Sequence, residues 1–214
     1  MYQISKQSLQ LILPIVLLFS CIGVANATEK GVYLGAAYGQ SELEDVGELD
    51  QVCIDNGLVC QIQDSDTALM LFLGYQFNTY LAIELGYMDL GTVTVGTTAP
   101  IAANIGFSLE GGFLSLIPQI PIGERGAVFF RLGVVAGDAN LTAAIPSLGL
   151  TESEGNALAG VQVGIGGMVN LGKNASFRLE YNRVRFDEAL SLAGFEVDSP
   201  DMNIITGSII LRFK

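Results

Sequence analysis

Short alternating segments, joined by connections of alternately long and short length, are the feature that most limits how this chain can fold. In the segment 175–184, the apolar Phe177, Leu179 and Tyr181 alternate with charged and amide side chains. A period of two residues is typical of a β-strand with one apolar face. Connections that alternate in length place every long loop at one end of an antiparallel barrel. We therefore predict an all-β fold, an eight-stranded antiparallel up-and-down transmembrane β-barrel.

The predicted strands have the length that a tilted strand needs to cross a bilayer, about ten residues. They are 32–40, 67–77, 80–89, one strand within 106–120, 127–136, 157–169, 175–184 and 203–213. The long connections are 41–66, 91–104, 137–155 and 185–202. An even number of strands puts both chain ends on one side of the membrane. For an exported chain that side is the periplasm, so we expect the long loops to face outside.

The fourth strand is the least regular of the eight. Glu110 shares its parity with the apolar Leu114 and Leu116. Either this carboxylate lies beyond the hydrocarbon, or a bulge at Gly111-Gly112 shifts the register. Proline lacks an N–H donor, so Pro118 is expected at the end of the strand.

The N-terminal residues read as an export signal. Lys6 precedes an apolar run over 11–24, and Ala25-Asn26-Ala27 is a small-residue cleavage signature. The run is short for a transmembrane helix and contains a proline, so we prefer a cleaved signal peptide. We therefore divide the chain into a signal peptide, 1–27, and a barrel domain, 28–214.

The cysteines fit an oxidising compartment. Cys21 leaves with the signal, unless Leu18-Phe19-Ser20-Cys21 acts as a lipoprotein cleavage box and Cys21 is lipidated. Cys53 and Cys60 remain as an even pair in one polar segment. They are expected to form a small disulfide in the first long loop, with two free thiols as the alternative.

Charge and composition exclude several functions. The net charge of −12 argues against a nucleic acid partner. Hydrolases built on such barrels commonly use histidine as the general base. The chain has no histidine, so we predict that it is not an enzyme. The acidic first loop matches no EF-hand spacing. Bridging of this loop to an anionic surface by divalent cations is the alternative; we prefer a solvated acidic face and predict no metal site and no cofactor.

Several short motifs carry a resemblance to a known family. They are LGYQFN at 73–78, LAIELGYMDLG at 81–91, RLEY at 178–181 and ILRF at 210–213. With them the chain resembles the transmembrane domain of outer membrane protein A and related small outer-membrane barrels. The resemblance implies an outer-membrane location and recognition of the terminal Phe213 by the barrel insertion machinery, although Lys214 follows it. The chain ends at its last predicted strand, so we expect no peptidoglycan-binding domain.

Five charged side chains share the inward parity of the predicted strands. They are Glu84, Arg131, Arg178, Glu180 and Arg212. Charges inside a narrow barrel are costly unless they are paired. In the resembled family, inward acidic and basic residues pair across the lumen and gate conduction. The alternative is a plugged lumen in which the pairs only satisfy each other, and we favour it because eight strands leave room only for side chains.

Two outward features point to the membrane surface. Arg183 and Arg185 lie at the outer end of the seventh strand, where guanidinium groups suit lipopolysaccharide phosphates; a solvated surface pair is the alternative. Aromatic residues at strand ends are typical of interfacial girdles. These are Tyr38, Tyr75, Phe77, Tyr80, Tyr87, Tyr181 and Phe213.

These observations favour a non-enzymatic outer-membrane barrel that contributes to envelope structure and presents its loops to the surroundings. Its expected partners are outer-membrane lipids, lipopolysaccharide and a host or surface ligand bound by the loops. A small solute channel and an adhesin are the alternatives. A soluble lipocalin-type barrel, with the apolar parity inside, is less favoured because the opposite parity is small and charged.

Overall fold

The computed structural model describes residues 30–44, 59–63, 65–99, 103–145, 150–186, 190–192, 195–197 and 201–213. Its strands are β1 (Gly31–Leu43), β2 (Val59–Gln63), β3 (Ser65–Asn78), β4 (Leu81–Ala99), β5 (Ala103–Ile122), β6 (Gly126–Ile145), β7 (Leu150–Asn170), β8 (Ala175–Phe186), β9 (Leu190–Leu192), β10 (Phe195–Val197) and β11 (Asp201–Phe213). Within these ranges, no helix is long and apolar enough to cross a membrane.

A closed antiparallel ladder organises the described residues. Going round it, the strands are β1, β3, β4, β5, β6, β7, β8 and β11, and β11 pairs with β1 to close the barrel. The first and last strands meet in register, with Val32 opposite Phe213. Closure satisfies the backbone hydrogen bonds and leaves no strand edge exposed to lipid. The predicted eight-stranded barrel is confirmed.

Strand lengths differ from the prediction on the outer side. The segments 91–104 and 137–155 were expected to be loops, but β4 and β5 stay paired as far as Thr97 and Ala103, and β6 and β7 as far as Ile145 and Leu150. Within the expected first loop, β2 adds to the outer end of β4, and β9 and β10 form a small hairpin in the fourth. The apolar alternation that marks a membrane-spanning strand ends at the lipid boundary, whereas backbone pairing continues beyond it.

The irregular fourth strand keeps its register. Met88 lies opposite Gly111 and Tyr87 opposite Gly112 without interruption. The bulge hypothesised at Gly111-Gly112 is therefore wrong, and the register shift lies on the partner strand between Asp89 and Thr92. Gly91 lies in this register shift, and its φ of 71° favours glycine.

Pro118 lies inside β5 but at the end of one of its ladders. It is opposite Leu81, the first residue of β4. Towards β6 the ladder runs from the pair Leu116–Leu132 to the pair Gln119–Phe129 and leaves Pro118 without a partner. Since proline has no N–H to donate, this gap is the expected cost of placing it in the strand.

The two faces of the barrel have opposite character. Outward side chains are apolar and exposed, as at Leu71 (63%), Leu85 (60%) and Ile120 (60%), whereas inward Glu84 and Arg131 are buried. An apolar outer surface around an interior that holds buried charges among apolar side chains is the reverse of a lipocalin cup. It is the arrangement expected where lipid is the solvent on the outside.

Aromatic side chains mark the two ends of this apolar band. Tyr75 and Phe77, in edge-to-face contact with ring centroids 5.0 Å apart, lie near the short turn between β3 and β4. Towards the long hairpins, Tyr87 donates to Glu110 and Tyr181 donates to Asn203. Rings with one polar end suit a membrane interface.

Inward glycines lie directly opposite large inward side chains on the neighbouring strand. A Cβ atom at Gly74 would lie 2.1 Å from Cζ of Tyr33, and one at Gly166 would lie 2.3 Å from Cζ of Phe129. The ring therefore occupies the volume that the glycine leaves empty, which explains part of the high glycine content. The aromatic pairs of this kind are Phe72 over Gly35, Tyr33 over Gly74, Phe113 over Gly86 and Phe129 over Gly166.

Two adjacent glycines of β7 test this packing. Gly166→Ala places a methyl group against the Phe129 ring and is expected to destabilise the barrel by about 1–3 kcal/mol, the usual result of overpacking. Gly167→Ala is the matched control because a Cβ there meets nothing within 4 Å, so its effect should stay below about 1 kcal/mol. Urea unfolding in vesicles, followed by circular dichroism, measures both. Equal stabilities of the two variants would contradict this packing scheme.

Candidate functional site: the lumenal charge cluster and the outer rim

Four charged side chains meet in the middle of the barrel. Glu84 comes from β4, Arg131 from β6, and Arg178 and Glu180 from β8, and all four are buried. Strand alternation puts each of them on the inward parity. Arg178 and Glu180 are two residues apart on one strand, so both point into the lumen. We call this group the lumenal charge cluster.

Every member of the lumenal charge cluster contacts an opposite charge. Nη2 of Arg131 lies 2.7 Å from Oε2 of Glu84, and its Nε lies 2.5 Å from Oε1 of Glu180. Nη2 of Arg178 lies 2.7 Å from Oε1 of Glu84, and its Nη1 lies 3.9 Å from Oε2 of Glu180. Each arginine thus contacts both carboxylates, and the formal charges of the four groups cancel.

The cluster reaches across the full width of the lumen. In the order of the closed ladder, β4 and β8 are four strands apart, on opposite sides of the barrel. The contact between Glu84 and Arg178 joins them directly. Arg131 comes from β6, halfway between them, and Tyr33 of β1 donates from the remaining side, with its Oη 2.7 Å from Oε1 of Glu84. Every second strand of the barrel therefore contributes to one layer.

Aromatic rings pack against both guanidinium groups. The guanidinium carbon of Arg131 lies 5.3 Å from the ring centroid of Phe113. That of Arg178 lies 4.6 Å from the centroid of Phe129 and 5.4 Å from that of Phe72. Cation–π contacts at these distances stabilise a buried guanidinium. These are the rings that lie over inward glycines, so the glycines indirectly position the arginines.

The lumenal charge cluster keeps spare hydrogen-bond capacity. Nη1 of Arg131 and both Nε and Nη1 of Arg178 are buried without a hydrogen-bond partner. Nearby on β8, both polar side-chain atoms of Asn182 are also buried without a hydrogen-bond partner in the protein. Guanidinium groups with unused donors can change carboxylate partners without moving their charge far.

Arg212 does not join this cluster, although its parity predicted that it would. Its Nη1 lies 3.1 Å from Oδ1 of Asn170 and also donates to Oγ of Ser176, and its Nη2 lies 3.5 Å from the sulfur of Met168. Arg212 comes near the end of β11, on the side of the short turns. The parity of a residue shows which face of the strand it occupies but not how deep it lies along the barrel. For this reason parity alone grouped Arg212 with the four charges of the cluster.

Arg183 and Arg185 contact carboxylates of the chain itself. Nη2 of Arg183 lies 2.7 Å from Oδ2 of Asp201 and also donates to Glu44. Nη2 of Arg185 lies 2.8 Å from the same Asp201 oxygen. Hydrogen bonds from Arg185, and then from Arg183, hold the pKa of Asp201 below its usual value. Binding of lipopolysaccharide phosphates by these arginines stays a prediction, and the phosphates would compete with Asp201.

The rim contacts join the first and last strands. The amide of Glu44, just after β1, donates to the carbonyl of Asp201 at 2.9 Å, and Oε1 of Glu44 accepts from Asn203 at 2.8 Å. We call Glu44, Arg183, Arg185, Asp201 and Asn203 the rim clasp. It lies at the outer end of the seam where β1 and β11 close the barrel.

Some predicted features fall outside the described residues. They include the signal peptide over 1–27, Cys21, Cys53 and most of the acidic first loop. Cys60 lies on β2, but its disulfide with Cys53 stays a prediction. In the part of the chain that the structure describes, no three acidic, cysteine or histidine side chains form a group able to hold a metal ion. Phe213 is exposed at the end of β11, and its recognition by insertion machinery also stays a prediction.

The sequence analysis missed the neutral members of the lumenal layer. Tyr33 and the rings of Phe72, Phe113 and Phe129 contact the charges, yet only the charges were singled out. A signal for them exists in the sequence. An inward aromatic residue, aligned with an inward glycine on the neighbouring strand, marks a ring that lies flat inside the barrel.

Comparison with known proteins places this architecture in a family. Residues 27–214 match the family model described as the OmpA-like transmembrane domain. The chain belongs to this family. It is 28% identical over 198 residues to outer membrane protein A of Serratia marcescens, covering 91% of this chain and 53% of that protein. It therefore spans about half the length of this curated relative.

Solved structures of outer-membrane barrels have the same fold. The OmpA-like chain superposes on Ail, the attachment invasion locus protein of Yersinia pestis, in complex with the heparin analogue sucrose octasulfate. The TM-score is 0.54 at 15% identity, covering 87% of this chain and 100% of Ail. A second Ail structure gives a TM-score of 0.52. At this identity the likeness shows the fold alone. With the family match, it places the protein in the outer membrane.

Removing the central carboxylate tests the lumenal charge cluster. Glu84→Ala leaves Arg131 and Arg178 to share Glu180, so we expect a loss of about 3–5 kcal/mol in the free energy of unfolding. Glu124→Ala, in an exposed turn, is the control and should have the stability of the wild type. Urea unfolding in vesicles measures the difference. A Glu84→Ala variant as stable as the control would mean that the four charges do not act as one paired group.

A pH titration tests the rim clasp. A carboxyl group whose folded pKa is lowered stabilises the fold above its unfolded pKa, about 3.9, and this contribution disappears as pH falls through the folded value. The protection factor of the Glu44 amide, measured by hydrogen exchange, should therefore fall in acid, and Asp201→Asn should lower it already at pH 7. The Leu171 amide, which donates to Ala175 in a short turn, is the internal control. Unchanged Glu44 protection in Asp201→Asn would contradict the clasp.

Proposed function

We propose that this OmpA-like chain is a non-enzymatic barrel with a closed lumen, which contributes to envelope structure and presents an extracellular β-sheet to a partner. The observation that carries the first part is the contact between Glu84 and Arg178 across the whole barrel. With Arg131, Glu180 and four aromatic rings in the same layer, side chains fill the cross-section. An eight-stranded barrel is just wide enough for such a plug.

A gated channel is the second candidate, and one observation favours it. Each arginine of the lumenal charge cluster contacts both carboxylates and has N–H donors without a hydrogen-bond partner in the protein. An exchange of ion-pair partners would then open a path without leaving a charge unpaired. The aromatic rings argue against an open path because they stay in the layer when the charges move.

Conductance across planar bilayers separates the two candidates. The closed-lumen proposal expects no stepwise current from the wild type or from Glu84→Gln, which removes one charge but keeps the shape of the side chain. Heat-modifiable gel mobility checks that both are folded. Stepwise current from the wild type would contradict the closed lumen, and current that appears only in Glu84→Gln would favour the gate.

The second part of the proposal rests on the outer end of β7. On one edge, β7 pairs with β6 over its whole outer part, as far as Leu150. On the other edge, the pairing with β8 ends at Gly160, which lies opposite Phe186. Among the described strands, none pairs with the other edge of 150–159. On the opposite side of this outer sheet, β2 covers the edge of β4. We propose that this edge, which no described strand covers, binds an extended peptide by strand addition.

The charges at the outer end indicate the chemistry of the partner. Asp89, Glu110 and Asp138 lie opposite one another on β4, β5 and β6, and all three are exposed. Glu152 and Glu154 lie on the open edge itself. A sulfated ligand, like the heparin analogue bound to Ail, would be repelled here. An extended segment of a basic polypeptide fits instead.

Shortening single hairpins tests this surface. Replacing 140–155 with an Asn-Gly turn removes residues 150–155 of the unpaired edge of β7, and replacing 95–105 in the same way is the matched control. Both variants cut at residues that face each other, Ala139 with Asn156 and Thr94 with Gly106. Random peptides selected on the wild type in nanodiscs should be basic and extended, and should lose binding only to the first variant. Equal binding to both variants would contradict the edge as the binding surface.

A further inference from the structure

A groove interrupts the apolar outer face of the barrel. It has a volume of about 290 Å³ and is lined by residues of β6, β7 and β8, with Ile122 of β5 at one end. Its floor is Gly167, where a Cβ atom would meet nothing within 4 Å. On either side of this glycine stand the side chains of Val128 and Leu179, its partners on the neighbouring strands. We call it the Gly167 groove.

The Gly167 groove faces lipid rather than water or protein. Gly167 shares its parity with the exposed Val161, Val163 and Ile165 of β7, which form the lipid-facing surface of that strand. A void on this surface would leave the wall atoms without contact partners. Because lipid tails are as apolar as the groove walls, shape rather than hydrophobicity decides what fills it. A single flexible acyl chain is the component of the bilayer that fits a shallow groove open to the lipid.

The position of the Gly167 groove indicates which leaflet the bound lipid belongs to and what charge its headgroup has. It lies at the short-turn end of the barrel, the periplasmic end, between the turn at 123–125 and the turn at 171–174. Lys173 is exposed in one turn, whereas in the other turn Arg125 already interacts within the chain and Glu124 is an exposed carboxylate. An exposed basic side chain just beyond the hydrocarbon attracts anionic lipid headgroups.

We propose that the Gly167 groove is a binding site for an anionic phospholipid of the periplasmic leaflet, with one acyl chain over Gly167 and its phosphate beside Lys173. The Gly167 groove and Lys173 contribute differently to binding. The Gly167 groove holds an acyl chain of any phospholipid, and Lys173 favours an anionic headgroup. Such a site is independent of the lumenal charge cluster and of the outer sheet.

The absence of tryptophan from the chain gives a clean reporter. Ile120→Trp places one tryptophan opposite Val128 and beside the groove, and Leu71→Trp places one on β3, on the far side of the barrel. Each variant is folded into phosphatidylcholine vesicles in which part of the lipid carries bromine on its chains. The brominated lipid is either phosphatidylglycerol or phosphatidylcholine. Quenching of the tryptophan reports which lipid occupies the neighbouring surface.

Next to the groove, we expect brominated phosphatidylglycerol to be preferred over brominated phosphatidylcholine by about five-fold, the effect of one basic side chain near a phosphate. At position 71 we expect no preference. Adding Gly167→Leu should remove the preference because the side chain fills the groove, and Lys173→Gln should reduce it strongly. Gly112→Leu is the matched control, since Gly112 also faces outward with no atom closer than 3.7 Å to a Cβ.

Three results would overturn the proposal. They are equal quenching by the two lipids at position 120, the same preference at positions 120 and 71, and a preference that survives Gly167→Leu. Equal quenching would mean that only unselected boundary lipid covers this face, and either of the other two results would mean that the preference does not come from the Gly167 groove. Gly167→Val, with a smaller side chain, repeats the test if the leucine variant folds poorly, and heat-modifiable mobility reports folding.

Discussion

The closed backbone ladder is the constraint on which the rest of this structure depends. Lipid offers no hydrogen bonds, so every backbone group in the membrane must pair within the ladder, and eight strands then enclose a narrow lumen. Apolar residues cover the outer face and also form much of the interior, as at Phe72, Phe113 and Ile117. The interior has to be filled by whatever falls on the other parity, and here that includes Glu84, Arg131, Arg178 and Glu180.

Three kinds of residue together fill the narrow lumen: glycines, aromatic residues and charged residues. Glycines remove the volume under large rings, as Gly166 does under Phe129. The rings in turn pack against guanidinium groups, as Phe129 does against Arg178. Each guanidinium then contacts two carboxylates, so that no charge stays unpaired. Steric, aromatic and ionic contacts therefore depend on one another within a single layer.

The parity of each strand was predictable from the sequence because lipid imposes a strict alternation of apolar residues. This gave the strands, their faces and the residues that point inward. Two properties were not predictable. The depth of a residue depends on the shear of the barrel, which is why Arg212 contacts Asn170 and Ser176 instead of Glu84 or Glu180. The outer hairpins leave the lipid, so their pairing to Ile145 and Leu150 has no apolar pattern to mark it.

The fold and its sites depend most directly on lipid being the solvent of the outward-facing side chains. An apolar photoreactive probe dissolved in the acyl region of the vesicles, with mass spectrometry of the labelled peptides, measures which side chains face the lipid. Labelling of Leu85 and Leu179, with Glu84 and Arg178 left unlabelled, is the predicted result. Labelling of Glu84 and Arg178 without labelling of the two leucines would show that the faces are reversed. That result would contradict the lumenal charge cluster, the Gly167 groove and the proposed function.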